Sequence, residues 1–418
     1  MESVKTENLA QKQKLKPMNK AMLTTHMLNN TISIFVTTFL ISYIYSISTN
    51  YVLNIGMFYA FNYFSMLVFY YLISTIIDRT DRVTFYRLAI LVRAVFIICV
   101  VFWGAKLAKY VIFAGLLHGF SEACYWCSYN LMKNELVSKH AVAKYSGWQQ
   151  ATCEITNIVV PITLGKIIEA SKFSTCAYII IAFSVIELIL SIFIKSKRPE
   201  NSRFNMRGFI KDIKDKGYEG KLVSWTIIIA AMYGITNVLT TLKTIIIMYE
   251  FGSDFSLGII TSIVAVVTLL VIIYIRKFTK IGNRAVLFWI SAILPIPATF
   301  LLVFNVCKAT IIIYSFVNAI CMVIHVMSYD VIRNIILKKL HLFDDIAEYQ
   351  CSIECAMETA RVVIFSIMAL FGVVGAYLDS LFTSLKIFMC VSVFAIALVD
   401  LSLMVVEKRL KAKGLTED

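Results

Sequence analysis

Charge is what this sequence has least of. Asp, Glu, Lys and Arg make up 16% of 418 residues, against 59% hydrophobic ones, which excludes an ordinary soluble domain. From residue 21 to residue 77 there is not one of the four. That run is too long for a single membrane crossing and right for two, with a polar turn near Ser48, Thr49 and Asn50. It is also far too long for a signal peptide, and no small-residue cleavage pattern follows it. No Gly-x-x-x-x-Gly-Lys-Ser/Thr loop occurs, and no polar segment is large enough for a nucleotide domain, so an ATP-driven pump is excluded. No clustered His, Asp or Ser constellation stands at either membrane face, so neither enzyme chemistry nor a cofactor is expected. Cys124 and Cys127 lack the further ligands that a zinc site needs.

What is present is one stretch that occurs twice. Ser128-Tyr129-Asn130-Leu131-Met132-Lys133-Asn134 returns as Ser328-Tyr329-Asp330-Val331-Ile332-Arg333-Asn334. In both copies an apolar helix runs into the block and a short basic loop follows. A second apolar helix then begins, in which Tyr145 matches Tyr349 and Glu154 matches Glu358. A repeat half a chain apart in so apolar a sequence points to a transporter built from two similar bundles. Hydropathy places spans at 22–46, 52–77, 88–103, 110–131, 145–167 and 176–194, then at 223–249, 255–275, 285–304, 311–337, 352–378 and 385–406. The expected plan is an all-α membrane protein of twelve transmembrane helices in two six-helix bundles, 21–194 and 222–406. A tail at 1–20, a linker at 195–221 and a tail at 407–418 complete it.

The net charge of +14 could draw nucleic acid, but its bases sit in short loops between spans. The positive-inside rule then puts both termini and the linker in the cytoplasm, with Lys106, Lys172 and Lys308 outside and only Lys243 and Arg361 within spans. The expectation is a monomer in the plasma membrane with no nucleic-acid partner.

At Ser74 to Arg82 the chain resembles the major facilitator superfamily, bacterial type. The loop between that family's spans 2 and 3 carries Gly, three residues, Asp, Arg or Lys, any residue, Gly, and then bases. Asp78, Arg79 and Arg82 match, while Ser74 and Asp81 replace the glycines. The equivalent loop of the second half, Thr279-Lys280-Ile281-Gly282-Asn283-Arg284, keeps the glycine and the bases without the acid. Glu187-Leu188-Ile189-Leu190 and Asp400-Leu401-Ser402-Leu403 add a third correspondence. The resemblance implies two bundles around a central cavity that alternates its opening, and a cytoplasmic gate at Asp78, Arg79, Arg82, Lys280 and Arg284. Two departures stand out. Gly115 occupies the place of an arginine that many members carry in span 4, and span 5 lacks the glycine-rich Gly-Pro segment of the drug antiporters.

Helical spacing puts His118, Glu122, Tyr125 and Tyr129 on one stripe of span 4. Adding 200 to each number gives Asn318, Met322, His325 and Tyr329 on span 10. Span 5 offers Gln150, Glu154 and Asn157, matched by Glu354, Glu358 and Arg361 on span 11. Span 1 adds His26, Asn30, Ser33 and Thr37, and span 7 adds Tyr233, Asn237 and Thr241. In the family fold spans 1, 4, 7 and 10 line the cavity, so these stripes converge on one site for a small polar or amphipathic solute. The bland reading of the tyrosines and histidines is hydrogen bonding between neighbouring helices. A carboxylate in mid-span costs about 2.5–3.5 kcal/mol, so Glu122, Glu154 and Glu358 must meet water, a countercharge or each other. Arg361 can pair with Glu358. Glu122, with His118 one turn away and no base on its own helix, is the first choice for exchanging a proton during transport. Glu187 and Asp400 fall near the cytoplasmic ends of peripheral spans, where snorkelling or pairing with nearby bases is expected. The sequence thus reads as a proton-coupled secondary transporter. The alternatives are a drug or metabolite efflux antiporter of the same fold, or a non-transporting receptor or accessory protein.

Overall fold

A computed structural model describes residues 16–137, 142–196, 204–278, 284–339, 346–378 and 380–412. All regular structure among them is helical. Eleven stretches are long and apolar enough to cross a bilayer, and one of these, Arg82–Lys133, is two helices. Gly104 breaks it with φ 48°, a conformation that glycine adopts without strain. Twelve crossings result: α1 Pro17–Ile47, α2 Tyr51–Ile76, α3 Arg82–Trp103, α4 Leu107–Leu136, α5 Val142–Ala170 and α6 Phe173–Ser191, then α7 Tyr218–Phe251, α8 Asp254–Phe278, α9 in two pieces, α10 Lys308–Lys339, α11 Ile346–Tyr377 and α12 Leu381–Ala412.

The expected span 9 is one helix by hydropathy. Its pieces are Arg284–Ile293 and Pro295–Phe304, because Pro295 brings no N–H to the ladder. Polar side chains set other ends. The Asn50 side chain accepts from the Leu53 N–H at 3.0 Å at the start of α2, and Asp81 accepts from Val83 N–H at 3.1 Å at the start of α3. In the polar stretch between α6 and α7, a short amphipathic helix, Met206–Asp215, buries Phe209 against the second half.

Each half packs in the same pattern. In the first, α1 lies against α5 and α6, α2 against α4, and α3 against α4 and α6. Six helices later, α7 lies against α11 and α12, α8 against α10, and α9 against α10 and α12. The halves meet through α2 with α11 and α5 with α8, two contacts that a twofold relation exchanges. These crossings are close. A Cβ on Gly372 would collide with the Leu53 backbone, and one on Gly258 with the Pro161 carbonyl. Gly115 and Gly119 let α4 press on α2 at Phe58 and Asn62 in the same way. An arginine at Gly115 would therefore separate two helices that the fold holds in contact.

The apolar core is unevenly shared between the two ends. At the end away from the termini one cluster crosses both halves, including Ile44, Ile55, Phe96 and Leu164 with Leu242, Ile260, Leu302 and Phe365. Toward the termini the core divides into two clusters, one around Tyr86 and Tyr125 of the first half that also takes in Cys351 of α11, the other around Phe288 and Tyr349. The halves are therefore sealed together at the far end. Large apolar side chains such as Phe102, Ile192 and Leu370 stay exposed on the outer faces, where lipid is the solvent.

Candidate substrate cavity and the charged array beside it

Between the halves lies a cavity of about 490 Å³, walled by α1, α5, α7, α8 and α10. It reaches from Thr240 and Pro161 near the sealed end to Gln150 and Met327 toward the termini. Two local irregularities shape the wall. The α1 backbone widens into a π-helical turn at Phe35–Leu40, and the successive Thr37 and Thr38 both line the cavity there. Such turns recur at functional sites. In α5, Pro161 has no N–H to give the Asn157 carbonyl one turn earlier, which leaves that acceptor at the cavity wall.

Of the residues singled out by spacing, Gln150, Glu154 and Asn157 stand on this wall. Gln150 donates to Glu154 Oε1 at 2.5 Å. Asn30 lies behind them, donating to Thr156 Oγ1 at 2.5 Å and to Asn157 Oδ1 at 3.2 Å. That second bond engages the Asn157 oxygen. Asn318 and Met322 supply the α10 side.

The other stripe residues form a second, mostly buried layer. His26 shares a 2.7 Å hydrogen bond between Nδ1 and the Tyr125 hydroxyl and stacks on Tyr129 with ring centroids 4.5 Å apart. The hydroxyls of Tyr129 and Tyr145 are 3.2 Å apart. In the second half His325 Nδ1 lies 2.7 Å from Asp400 Oδ1, and Tyr233 stacks on both His325 and Tyr329. Among the described residues, Tyr125, Tyr129, His325 and Tyr329 are absent from the cavity wall. Helical spacing puts groups on one stripe without saying which neighbour that stripe faces.

Two expectations are corrected here. Arg93 also lies within a span, at mid-α3 and 1% exposed. It donates from Nη2 to Glu187 Oε2 at 2.6 Å and from Nη1 to Asn29 Oδ1. Glu187 and Asp400, expected near the cytoplasmic ends to snorkel or to pair with nearby bases, are fully buried at 0% exposure. Snorkelling is ruled out and pairing is what is found, each acid meeting a base of a neighbouring helix, since a buried carboxylate is retained only with a partner. The signal was available, because Arg93 is the sole charge between residues 88 and 103.

Toward the α2–α11 contact the charges continue. Glu122 accepts from Trp126 Nε1 at 2.9 Å, and its Oε1 lies 3.9 Å from His118 Nε2. His118 Nδ1 is 2.7 Å from Asn62 Oδ1, an atom that can only accept, so the ring proton sits on Nδ1 and Nε2 is left bare toward the carboxylate. Across the interface, Arg361 donates from Nη1 to Glu358 Oε1 at 2.5 Å and lies 5.0 Å from the Tyr63 ring centre on α2. With its oxygen toward the guanidinium, the Asn237 amide on α7 accepts from Arg361 Nε and Nη2, both at 2.5 Å.

Of the gate residues, Arg82 donates to Glu135 Oε2 at 2.9 Å and to the Leu131 carbonyl at 3.3 Å, which ties α3 to α4 within one half. Arg79 is exposed on the turn Ile77–Arg79. The Asp78 and Arg284 side chains and all of Lys280 lie outside the described residues. Lys243 is the functional candidate that spacing underrated. Noted in the sequence only as a base within a span, it stands on the cavity wall, and it too is the one charge of its predicted span, 223–249.

Twelve membrane-crossing helices, in two halves that share a polar cavity between them, define a membrane carrier. Comparison with known proteins gives it a family: the sequence profile of the Major Facilitator Superfamily matches residues 21–341, and the chain belongs to that family of transporters. No curated protein matches the sequence. Among solved structures, the nucleoside transporter NupG in a mutant form is similar at 14% identity, over 93% of this chain and 99% of that one, with a TM-score of 0.69. A bacterial homologue of the iron transporter ferroportin in its inward-facing state is similar at 12% identity, over 95% and 100%, with a TM-score of 0.64. At such identities the likeness is one of fold.

Proposed function

We propose that the protein is a proton-linked secondary transporter that moves a small polar or amphipathic solute by alternating access, as a monomer in the plasma membrane with both termini in the cytoplasm. The charge bias of the loops supports that orientation. On it, the apolar cluster seals the outer end and the cavity faces inward. The solute is read as small because a cavity of about 490 Å³ falls at the small-molecule end of binding-site volumes.

The observation that carries proton linkage is the surplus of carboxylates in the buried array. Glu187 is matched by Arg93 and Glu358 by Arg361. Glu354 accepts from Gln350, which also accepts from Arg333. Among the described residues Glu122 meets only His118 and the Trp126 indole as ion-pair and hydrogen-bond partners. A proton shared by Glu122 and His118 neutralises the excess, and its gain and loss can be tied to a movement of α4 against α2 and α11. Glu154, on the cavity wall, is the second acid of the cycle.

The test uses proteoliposomes and a solute found by ligand-induced stabilisation of the purified protein. Glu122→Gln is expected to abolish accumulation driven by a pH gradient while solute exchange continues. Loss of exchange and binding alike makes Glu122 a solute ligand instead. Full gradient-driven accumulation in both Glu122→Gln and Glu154→Gln refutes the proton-linked reading.

A further inference from the structure

Lys243 sits at bilayer depth on α7 and forms part of the cavity wall. Three other bases within the spans meet an acid: Arg93 holds Glu187, Arg361 holds Glu358 and His325 holds Asp400. Lys243 has no ion-pair or hydrogen-bond partner among the described residues, although a charge at this depth is costly to insert. Glu154 belongs to the facing half, on α5, and the two form no salt bridge. The cavity wall around it is rich in hydroxyls. Thr240, one turn earlier on the same helix, is exposed in mid-helix, as is Thr37 on the π-helical turn of α1, and Thr261 faces in from α8.

We propose that Lys243 is the centre of an anion-binding subsite that takes a carboxylate or phosphate group of the transported solute. This deepens, and rests on, the reading of the cavity as the transport path. An ammonium on a flexible four-carbon stem offers three donors in no fixed plane, so it accepts either group without the geometry that a guanidinium demands. The Thr240 and Thr261 hydroxyls can donate to the same oxygens, while that of Thr37 already donates to the Ser33 carbonyl at 2.9 Å. A solute with no negative charge leaves the ammonium uncompensated, whereas an anionic one supplies the partner that the fold omits. The solute's charge is thus read by a residue of the second half, across the cavity from the carboxylate of the first half, Glu154.

The test needs no knowledge of the solute. A single reporter, Thr240→Cys, is placed in a chain whose native cysteines are replaced by alanine or serine. Its modification rates by the anionic sulfonatoethyl, cationic trimethylammonioethyl and neutral methyl methanethiosulfonates are compared. With Lys243 present the anionic reagent should react faster than the cationic one by about tenfold or more, the scale on which a focused charge raises local counter-ion concentration. Lys243→Gln should remove the preference and Lys243→Arg restore it. Inorganic phosphate and acetate, added in turn, should each slow the anionic reagent only when a base is present, and the stronger protector identifies the preferred group. A preference unchanged by Lys243→Gln, or protection by neither anion, overturns the subsite. Normal reaction with the neutral reagent in that case leaves the transport cavity standing. Failure of all three reagents from both sides of the membrane removes the cavity reading itself. Thr261→Cys serves as reporter should Thr240→Cys fail to fold.

Discussion

Replacing Arg93 by methionine removes the cation from a fully buried arginine–carboxylate pair. The guanidinium and the Glu187 carboxylate are 1% and 0% exposed, with 2.6 Å between Nη2 and Oε2. Methionine keeps much of the arginine stem's packing, so the loss is chiefly electrostatic. An unpaired Glu187 then stays in the bundle interior, and breaking such a pair from one side costs about 3–5 kcal/mol. At about 2.1 cal/mol/K per residue, 418 residues have an unfolding entropy near 0.9 kcal/mol/K. A loss of about 4 kcal/mol therefore lowers Tm by about 4 °C, and by more if the helices persist in detergent and less entropy is released. Thermal unfolding of the detergent-purified protein, followed by tryptophan fluorescence, reads this directly. Arg93→Met with Glu187→Leu removes both charges together and should recover most of the loss, because two apolar side chains need no partners. The double-mutant cycle should then give a coupling of about 2 kcal/mol or more. A single variant within about 0.5 kcal/mol of the parent, the range of neutral surface changes, would sink the argument. So would a double variant no better than the single one.

Gly258→Val should wedge α8 from α5 at the sealed end, where a Cβ meets the Pro161 carbonyl. Its readout is faster labelling of Thr261→Cys from the outer face, and an unchanged rate shows that this crossing does not hold the seal. Asp78→Asn should lower transport more than solute binding by populating the cytoplasm-open state, and unchanged transport with a normal conformational balance makes Asp78 an ordinary turn residue. Single cysteines at Lys106, Lys172 and Lys308 should react with an impermeant thiol reagent on whole cells, while cysteines in the 195–221 linker should not. Labelling of the linker from outside inverts the topology.

The sequence by itself determined the crossings and the doubling of the chain. Hydrophobic runs of bilayer length have no other stable home, and the repeat at Ser128 and Ser328 carries its own register, so twelve helices in two related halves could be read before any contact was known. It also marked the intramembrane acids, because a charge among apolar neighbours stands out at any distance. Which charges meet was a different matter. Arg93 and Glu187 are separated by 94 residues, and His325 and Asp400 by 75, and no local pattern records which helix turns toward which. Spacing grouped His118, Glu122, Tyr125 and Tyr129 on one stripe. Only the packing of α4 against α2 and α3 gave Glu122 its place beside the interface and buried Tyr125 against Arg93. Lys243 shows the same division. Its solitary charge was visible in the sequence, but its position on the wall of a shared cavity, with no acid paired to it among the described residues, exists only once α1, α5, α7 and α8 enclose that cavity.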